Sequence, residues 1–324
     1  MVSFAALSQY FWSGGDKIVS EDNDYNEAGP SGCCCATCGI AEIDDIKLKD
    51  CDSCDLVKYC SDECKEDHKL EHKEACEKRA GELRDELLFK HPEGNHHGDC
   101  PLCCLPLPID PWKSYMHSCC SKVICNGCSY ALMAREHEMR LTFKCPFCRE
   151  PTKRTKEEMD KERMKRVEAA NDPVAMYEEA RIQHERGYYI RAFEYWTKAA
   201  RLGNADAHFQ LSQMYYDGEG VERDAEMMLY HFEEAAIGGH PSARHNLGNV
   251  EWNKGNYERA VKHWIIAASQ GFESTDILMK KYREGYVSKE QLAAALRAHQ
   301  AAVNETKSEQ REAAEKFKQA VRNK

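Results

Sequence analysis

The cysteines constrain this chain more than any other feature. All 18 lie between Cys33 and Cys148 of the 324 residues, and most of them form pairs separated by two residues. The N-terminal sequence MVSFAALSQYFW lacks the basic start of a secretory signal. In a reducing compartment such pairs indicate metal ligands rather than disulfides. We therefore expect an intracellular protein, cytoplasmic or nuclear, with a metal-binding front half joined to a different back half.

The first cysteine cluster offers eight nitrogen or sulfur donors, the complement for two tetrahedral zinc ions. The donors are Cys35, Cys38, Cys51, Cys54, Cys60, Cys64, His72 and Cys76. The sequence between Cys64 and Cys76 has no Gly or Pro and predicts a helix with His72 and Cys76 on one face. So short a segment cannot bury enough apolar surface to fold alone, so zinc would supply the folding free energy. With every donor a side chain, these sites leave no position for catalysis.

The string CDSCDLVKYCSDECKEDHKLEHKEAC resembles a MYND-type zinc finger, here assigned to residues 33–76. The resemblance implies two interleaved zinc sites, one of Cys35, Cys38, Cys60 and Cys64 and the other of Cys51, Cys54, His72 and Cys76. It also implies a protein-binding module, since some MYND fingers bind proline-rich peptides. The family usually has Trp four residues before the ligand histidine. This chain has His68 there, which we interpret as a solvated helix residue.

A second cluster repeats this logic with eight cysteines and a different spacing. They are Cys100, Cys103, Cys119, Cys120, Cys125, Cys128, Cys145 and Cys148. Spacers of 15 and 16 residues fit a cross-braced fold in which alternate pairs share a metal, and Ser129 to Arg140 predicts a central helix. The partner of Cys120 is either Cys119, which we favour, or His117. Cys33, Cys34 and Cys104 are left over as spare cysteines.

The words CPLC, ICNGC and CPFCR in this cluster resemble an all-cysteine RING-type finger, here assigned to residues 100–150. The resemblance implies one zinc on Cys100, Cys103, Cys125 and Cys128 and the other on Cys119, Cys120, Cys145 and Cys148, so that four ions, two per finger, are expected. Many RING fingers are ubiquitin ligases. They orient a ubiquitin-conjugating enzyme without forming a covalent intermediate. The matching interface positions are Leu102, Pro146 and Arg149, although a RING can also serve only as a scaffold.

The back half repeats a pattern of small and aromatic residues. The pattern Ala-Ala-x-x-Gly ends at Gly203, Gly239 and Gly271, after steps of 36 and 32 residues. The same steps separate an aromatic residue in each unit (Trp196, Phe232, Trp264), and an alanine starts each unit (Ala175, Ala207, Ala243). Such a period predicts stacked helix pairs. The pattern is similar to Sel-like repeats, a TPR-related solenoid, which we assign to residues 172–302.

The remaining segments are interpreted as connections. They are a disordered N-terminus (residues 1–32), a linker (77–99), a charged helical linker (151–171) and a charged helical tail (303–324). In the first linker His91, His96 and His97 are interpreted as solvated rather than metal-binding. A net charge of −10 argues against nucleic-acid binding, and no apolar run approaches membrane-spanning length.

Together these patterns predict small α+β zinc modules, namely two cross-braced fingers, followed by an all-α solenoid of helix pairs. The expected function is that of a zinc-binding interaction protein. Its RING would act as a ubiquitin ligase by recruiting a ubiquitin-conjugating enzyme, while the MYND-like finger and the repeats bind substrates or adaptor partners. The alternative is a non-enzymatic scaffold or adaptor built from the same modules.

Overall fold

The computed structural model describes residues 34–43, 46–140, 142, 144–153 and 155–322. The predicted disorder of residues 1–32, and Cys33, lie outside these described residues. The chain divides into two compact units, one through Leu88 and one from Phe89 onward. Each unit is described separately below.

The first unit is a small α+β module. Strands β1 (Lys49–Asp50) and β2 (Lys58–Tyr59) pair antiparallel, and helix α1 spans Asp62–Phe89. Its core is built from Cys35, Leu48 and Tyr59. Helix α1 runs well beyond Cys76, where the sequence predicted a linker, because Arg79 forms ion pairs with glutamates one and two turns further along the same helix.

The second unit begins with another small α+β module. Strands β3 (Ser114–Met116) and β4 (Val123–Cys125) form an antiparallel hairpin, and helix α2 spans Asn126–Glu138. Helix α2 begins three residues before the predicted start, because the Cys125 side chain caps it by accepting from the Cys128 amide. Its core consists of Cys100, Leu107, Ile124, Cys125 and Cys128, so sulfur fills much of the space that apolar side chains occupy in larger domains.

Helices account for the rest of the described chain. The first is α3 (Lys156–Ala170), and three helix pairs of equal length follow: α4 (Pro173–Glu185) with α5 (Tyr189–Arg201), α6 (Ala205–Asp217) with α7 (Ala225–Ile237), and α8 (Pro241–Asn253) with α9 (Tyr257–Ser269). The chain ends with α10 (Thr275–Arg283), α11 (Lys289–Glu305) and α12 (Glu309–Arg322). The predicted fold class, small α+β zinc modules followed by an all-α solenoid, is confirmed.

The repeated residues form the core of the solenoid. The three starting alanines are fully buried, the Ala-Ala pairs are buried as well, and Trp196, Phe232 and Trp264 are at most 2% exposed. Small side chains let neighbouring helices approach, and the aromatic rings fill the space between them. Gly203, Gly239 and Gly271 end the second helices with φ between 83° and 86°, a conformation that favours glycine.

Helix α3 is attached to the solenoid rather than surrounded by solvent. A capping box of Thr155 and Glu158 starts it. Arg163 is 6% exposed and donates to the Glu179 carboxylate of α4, while Val167 joins the core of the first helix pair. The charged pattern of this segment therefore includes one buried ion pair and one core residue.

The C-terminal helix α12 packs against α2 of the small module. Ala314 and Arg311 are buried, and the Phe317 ring lies 5.2 Å from that of Tyr130. Gly127 of α2 permits this approach, since a Cβ there would lie 2.7 Å from the Arg311 backbone nitrogen. The charged tail is thus a docked helix with its own buried face.

None of the helices within the described ranges combines the length and apolarity that a membrane crossing requires.

Candidate metal centres and interaction surface

Four groups of side chains converge in the structure, and they contain all sixteen predicted donors. The groups are Cys35, Cys38, Cys60 and Cys64; Cys51, Cys54, His72 and Cys76; Cys100, Cys103, Cys125 and Cys128; and Cys119, Cys120, Cys145 and Cys148. Within each group the ligand atoms all lie within 4.8 Å of one another. The structure thus brings the donors together in the interleaved order that the resemblances imply.

The distances within these groups test whether they fit zinc. A Zn–S bond of about 2.3 Å separates two tetrahedral ligands by about 3.8 Å. The Sγ atoms of Cys51 and Cys76 are 3.7 Å apart, and those of Cys103 and Cys125 are 3.9 Å apart. The Sγ atoms of Cys119 and Cys148 are closer, at 3.3 Å, and still well beyond disulfide length. All-sulfur and Cys₃His donor sets of this size fit structural zinc ions.

Three of the CxxC turns share one backbone geometry, which we call a knuckle. The knuckles begin at Cys35, Cys100 and Cys145. In each, the amide of the first cysteine donates to the carbonyl five residues on, and the amide four residues on donates back to that cysteine's carbonyl. The residue after the second cysteine is left-handed in every case, namely Gly39, Cys104 and Arg149. This geometry turns both sulfurs of a pair toward the same point.

The knuckles also favour thiolates. Burial of Cys100 opposes its ionisation, but the amides of Cys125, Leu102 and Cys103 point at its sulfur, and together they lower its pKa to about 7. At Cys35 burial is again opposed by backbone amides, and the pKa falls to about 6. Because the thiolate is the form that binds metal, these sulfurs are prepared for zinc.

The second site of the RING-like module contains Cys119, whereas His117 lies apart from it. The His117 ring packs between Tyr115 and Phe147, at centroid distances of 5.1 and 5.8 Å. Burial lowers its pKa, and its Nε2 has no hydrogen-bond partner among the described residues. The geometry therefore favours Cys119 over His117.

His68 is not the solvated residue that the sequence suggested. Its side chain is 20% exposed, its Nδ1 lies 3.1 Å from the Tyr59 hydroxyl, and its ring stacks on that of His72 at 5.5 Å. Burial and the nearby thiols raise the pKa of Tyr59 to about 12, so the hydroxyl keeps its proton. His68, at the position where the family usually has tryptophan, therefore packs against the predicted zinc ligand His72.

The three predicted interface residues lie on knuckles. Leu102 is the third residue of the knuckle that begins at Cys100. Pro146 is the second residue of the knuckle that begins at Cys145, and Arg149 directly follows the second cysteine of that knuckle. All three are exposed, Leu102 to 41%. Arg149 has a φ of 62°, a left-handed conformation that is uncommon outside glycine. An exposed leucine means little alone, but here it shares a module with an exposed proline and arginine.

The sequence interpretation missed a further cluster. His96 and His97, interpreted as solvated, have side chains only 3% and 20% exposed, and both face Asp206 of α6. That interpretation is wrong, because the contact depends on a residue more than a hundred positions away. The histidine pair was the only local signal, and the sequence did not indicate its acidic partner.

Comparison with known proteins adds family assignments for part of the chain. The MYND finger model matches residues 35–76, and the Sel1 repeat model matches residues 189–204, 205–240 and 241–272. The predicted MYND finger and Sel-like repeats are thereby confirmed. Both are protein-interaction modules.

A curated protein of Ostreid herpesvirus 1 (isolate France), named "Putative RING finger protein ORF96", is 34% identical over 53 residues. That match covers 16% of this chain and 22% of the viral protein. The chain therefore spans about a fifth of that relative's length.

Two solved structures are also similar. A Sel1 repeat protein from Oxalobacter formigenes is 17% identical, covering 55% of this chain and 73% of its own, with a TM-score of 0.39. The c5321 protective antigen of uropathogenic Escherichia coli, which displays an SLR fold, is 21% identical. It covers 50% of this chain and 36% of its own, with a TM-score of 0.35.

Proposed function

We propose that this protein is a zinc-dependent, RING-type ubiquitin ligase whose MYND finger and Sel1 repeats bind substrates or adaptor partners. The observation that carries the proposal is the exposure of Leu102, Pro146 and Arg149 on two knuckles of one cross-braced module. They have the chemistry that a docked conjugating enzyme requires, namely an apolar contact and a forked cationic donor.

The module's cysteines are proposed to hold two zinc ions. One site is the group of Cys100, Cys103, Cys125 and Cys128, and the other is the group of Cys119, Cys120, Cys145 and Cys148. The MYND finger is proposed to hold two more in the same interleaved manner. Zinc here supplies folding free energy and fixes the knuckles, and the chemistry of ubiquitin transfer stays with the conjugating enzyme.

The proposed mechanism is orientation. An apolar dock of Leu102 and Pro146 would hold the conjugating enzyme. Arg149 would donate paired hydrogen bonds to the enzyme and its ubiquitin, which a lysine cannot do with the same geometry. The ligase holds the thioester between the conjugating enzyme and ubiquitin in a reactive geometry. This accelerates aminolysis although the ligase itself forms no covalent bond. This explains why the module needs no open metal position.

A non-enzymatic adaptor is the second candidate. It is supported by the presence of two families of interaction module, the MYND finger and the Sel1 repeats, in a single chain. An adaptor would use the same surfaces to gather partners and would not require Arg149.

The deciding experiment is self-ubiquitination by the zinc-loaded full chain with a panel of ubiquitin-conjugating enzymes. We expect at least one enzyme to be active, and Arg149→Ala to slow the reaction about tenfold or more, as loss of a charge-assisted hydrogen bond would. Arg140→Ala is the matched control, because Arg140 is also exposed and left-handed (φ 50°) in the same module.

Two further variants link activity to zinc. Cys119→Ser should remove one zinc ion and abolish the activity. His117→Gln should retain the full zinc content and the activity. Inactivity across the panel at full zinc content would reject the ligase and leave the adaptor. Equal effects of Arg149→Ala and Arg140→Ala would reject the role of Arg149.

A further inference from the structure

The buried polar cluster around Asp206 is built from two distant parts of the second unit. His96 and His97 lie in the loop before the RING-like module, and Asp206 lies in the first turn of α6. The His97 Nε2 is 3.2 Å from both carboxylate oxygens, and the His96 Nε2 is 3.3 Å from one of them. All three ligand atoms lie within 4.8 Å of one another.

Hydrogen bonding on the far side of the His97 ring indicates which of its nitrogens is available. The His97 Nδ1 lies 3.3 Å from the Pro108 carbonyl, which only accepts, so Nδ1 carries a hydrogen. In the neutral His97 ring, Nε2 then carries a lone pair that faces the Asp206 carboxylate. A lone pair 3.2 Å from two carboxylate oxygens is repulsive unless a proton or a metal ion lies between them.

His240 also faces this carboxylate, but in a different role. Its Nδ1 accepts from the Ala243 amide at 3.2 Å, so the hydrogen of the neutral ring is on Nε2, which lies 3.5 Å from Asp206. Burial, with His96 and His97 nearby, lowers the pKa of His240 to about 3 although the Asp206 carboxylate raises it, so the ring is neutral. The Nε2–H of His240 therefore faces Asp206 at 3.5 Å and offers no lone pair to a metal ion.

His96 differs from His97 in lacking an outer hydrogen bond. The side chain of His96 is 3% exposed, and its Nδ1 has no hydrogen-bond partner among the described residues. A neutral imidazole and an ionised carboxylate are the forms that bind a metal ion.

The distances suit coordination. Ligands about 2.1 Å from one metal ion, at adjacent positions, are separated by roughly 3.0–3.4 Å. The nitrogen–oxygen distances of 3.2 and 3.3 Å fall in this range and are long for a charge-assisted hydrogen bond. The His97 Nδ1–H donated to a carbonyl is the outer hydrogen bond that orients most metal-bound histidines.

We infer that His96, His97 and Asp206 form a fifth metal site, for one divalent transition-metal ion, with His240 facing the same carboxylate. Two imidazoles and a carboxylate select the class that includes zinc, iron(II) and cobalt(II). With three protein ligands and side chains of His97 and Asp206 that keep 20% and 22% exposure, water completes the coordination. Unlike the thiolate groups, this site would keep an exchangeable position and would fasten the loop to the second helix pair.

The test is the number of zinc ions bound by the full-length protein, measured by native mass spectrometry after removal of loose metal. We expect five ions in the wild type, and four in Asp206→Asn and His97→Gln. The matched control is His184→Gln, which removes a more exposed histidine–carboxylate pair with Glu219 (2.8 Å) in the same solenoid. It should keep five.

Cobalt(II) distinguishes this site from the thiolate groups. Loss of the fifth ion should leave the sulfur-to-cobalt absorption unchanged, because no cysteine belongs to the fifth site. Unchanged absorption also verifies that the zinc fingers of the variants are folded. Four ions in the wild type at excess zinc, or five in both variants, would overturn the inference. Neither outcome depends on ligase activity, so this site and the proposed function can fail separately.

Discussion

Burial changes the pKa of individual residues in the second unit in ways that their hydropathy does not reveal. His263 is fully buried in α9, and its ring packs on that of Phe89 at 4.6 Å. Neither ring nitrogen has a hydrogen-bond partner among the described residues. Burial, with Arg244 and Arg259 nearby, lowers the pKa of His263 to about 3. The ring is therefore neutral in the folded protein and resists protonation.

Because His263 is buried and neutral, we predict that the folded protein loses stability as the pH falls. A histidine with a lowered folded pKa leaves stability intact above its unfolded pKa of about 6.5 and reduces it as the pH falls toward the folded value. Between about pH 7 and pH 5 the wild type should lose about 2 kcal/mol more unfolding free energy than His263→Phe, which cannot titrate. Denaturant unfolding at both pH values measures this difference.

The control for this prediction is His91→Phe, at an exposed position of the same unit. It should retain the pH dependence of the wild type. If His263→Phe loses stability with acid as steeply as the wild type, burial of this ring is not the cause.

At the scale of elements, the solenoid depends on close helix contacts that only small residues allow. Gly248 lies inside α8, where glycine normally weakens a helix. A Cβ there would lie 2.4 Å from the Trp264 Nε1, which donates to the His245 carbonyl at 3.2 Å. Gly248 thus admits the aromatic residue of the following helix.

We predict that Gly248→Ala destabilises the solenoid by about 1–3 kcal/mol through overpacking, despite a gain of about 1 kcal/mol in helix propensity. Thermal unfolding followed by circular dichroism measures the change. Gly81→Ala in α1 is the matched control, because a Cβ added there would meet no atom within 4 Å and the change should be neutral or stabilising. A stabilising effect of Gly248→Ala would show that Trp264 can move without cost.

At the scale of the whole second unit, the RING-like module and the solenoid are joined through the last helix. Arg311 of α12 donates to the carbonyls of Pro106 and Thr306 at 2.8 Å, and it reaches the Cys103 Sγ at 3.6 Å. One guanidinium thus satisfies the backbone of a knuckle loop and lies beside a proposed zinc ligand. The C-terminal segment is therefore part of the module's support.

We predict that Arg311→Ala weakens the docking of α12 by about 2 kcal/mol, because it leaves half-buried carbonyls without donors. Hydrogen exchange should become faster across α12 and α2. Lys316→Ala, at an exposed position of the same helix, should leave exchange unchanged. Unchanged protection in Arg311→Ala would mean that Phe317 and Ala314 suffice to hold the helix.

The sequence alone determined the features whose partners are close along the chain or recur at a fixed period. CxxC spacing sets the knuckles through bonds between residues four and five apart, and the alanine–aromatic–glycine period sets the helix pairs, so both could be predicted. Only the tertiary structure brought His97 to Asp206, 109 residues away, and Arg311 to Pro106, 205 residues away. Such contacts follow from how whole modules pack, and no local propensity or spacing encodes them.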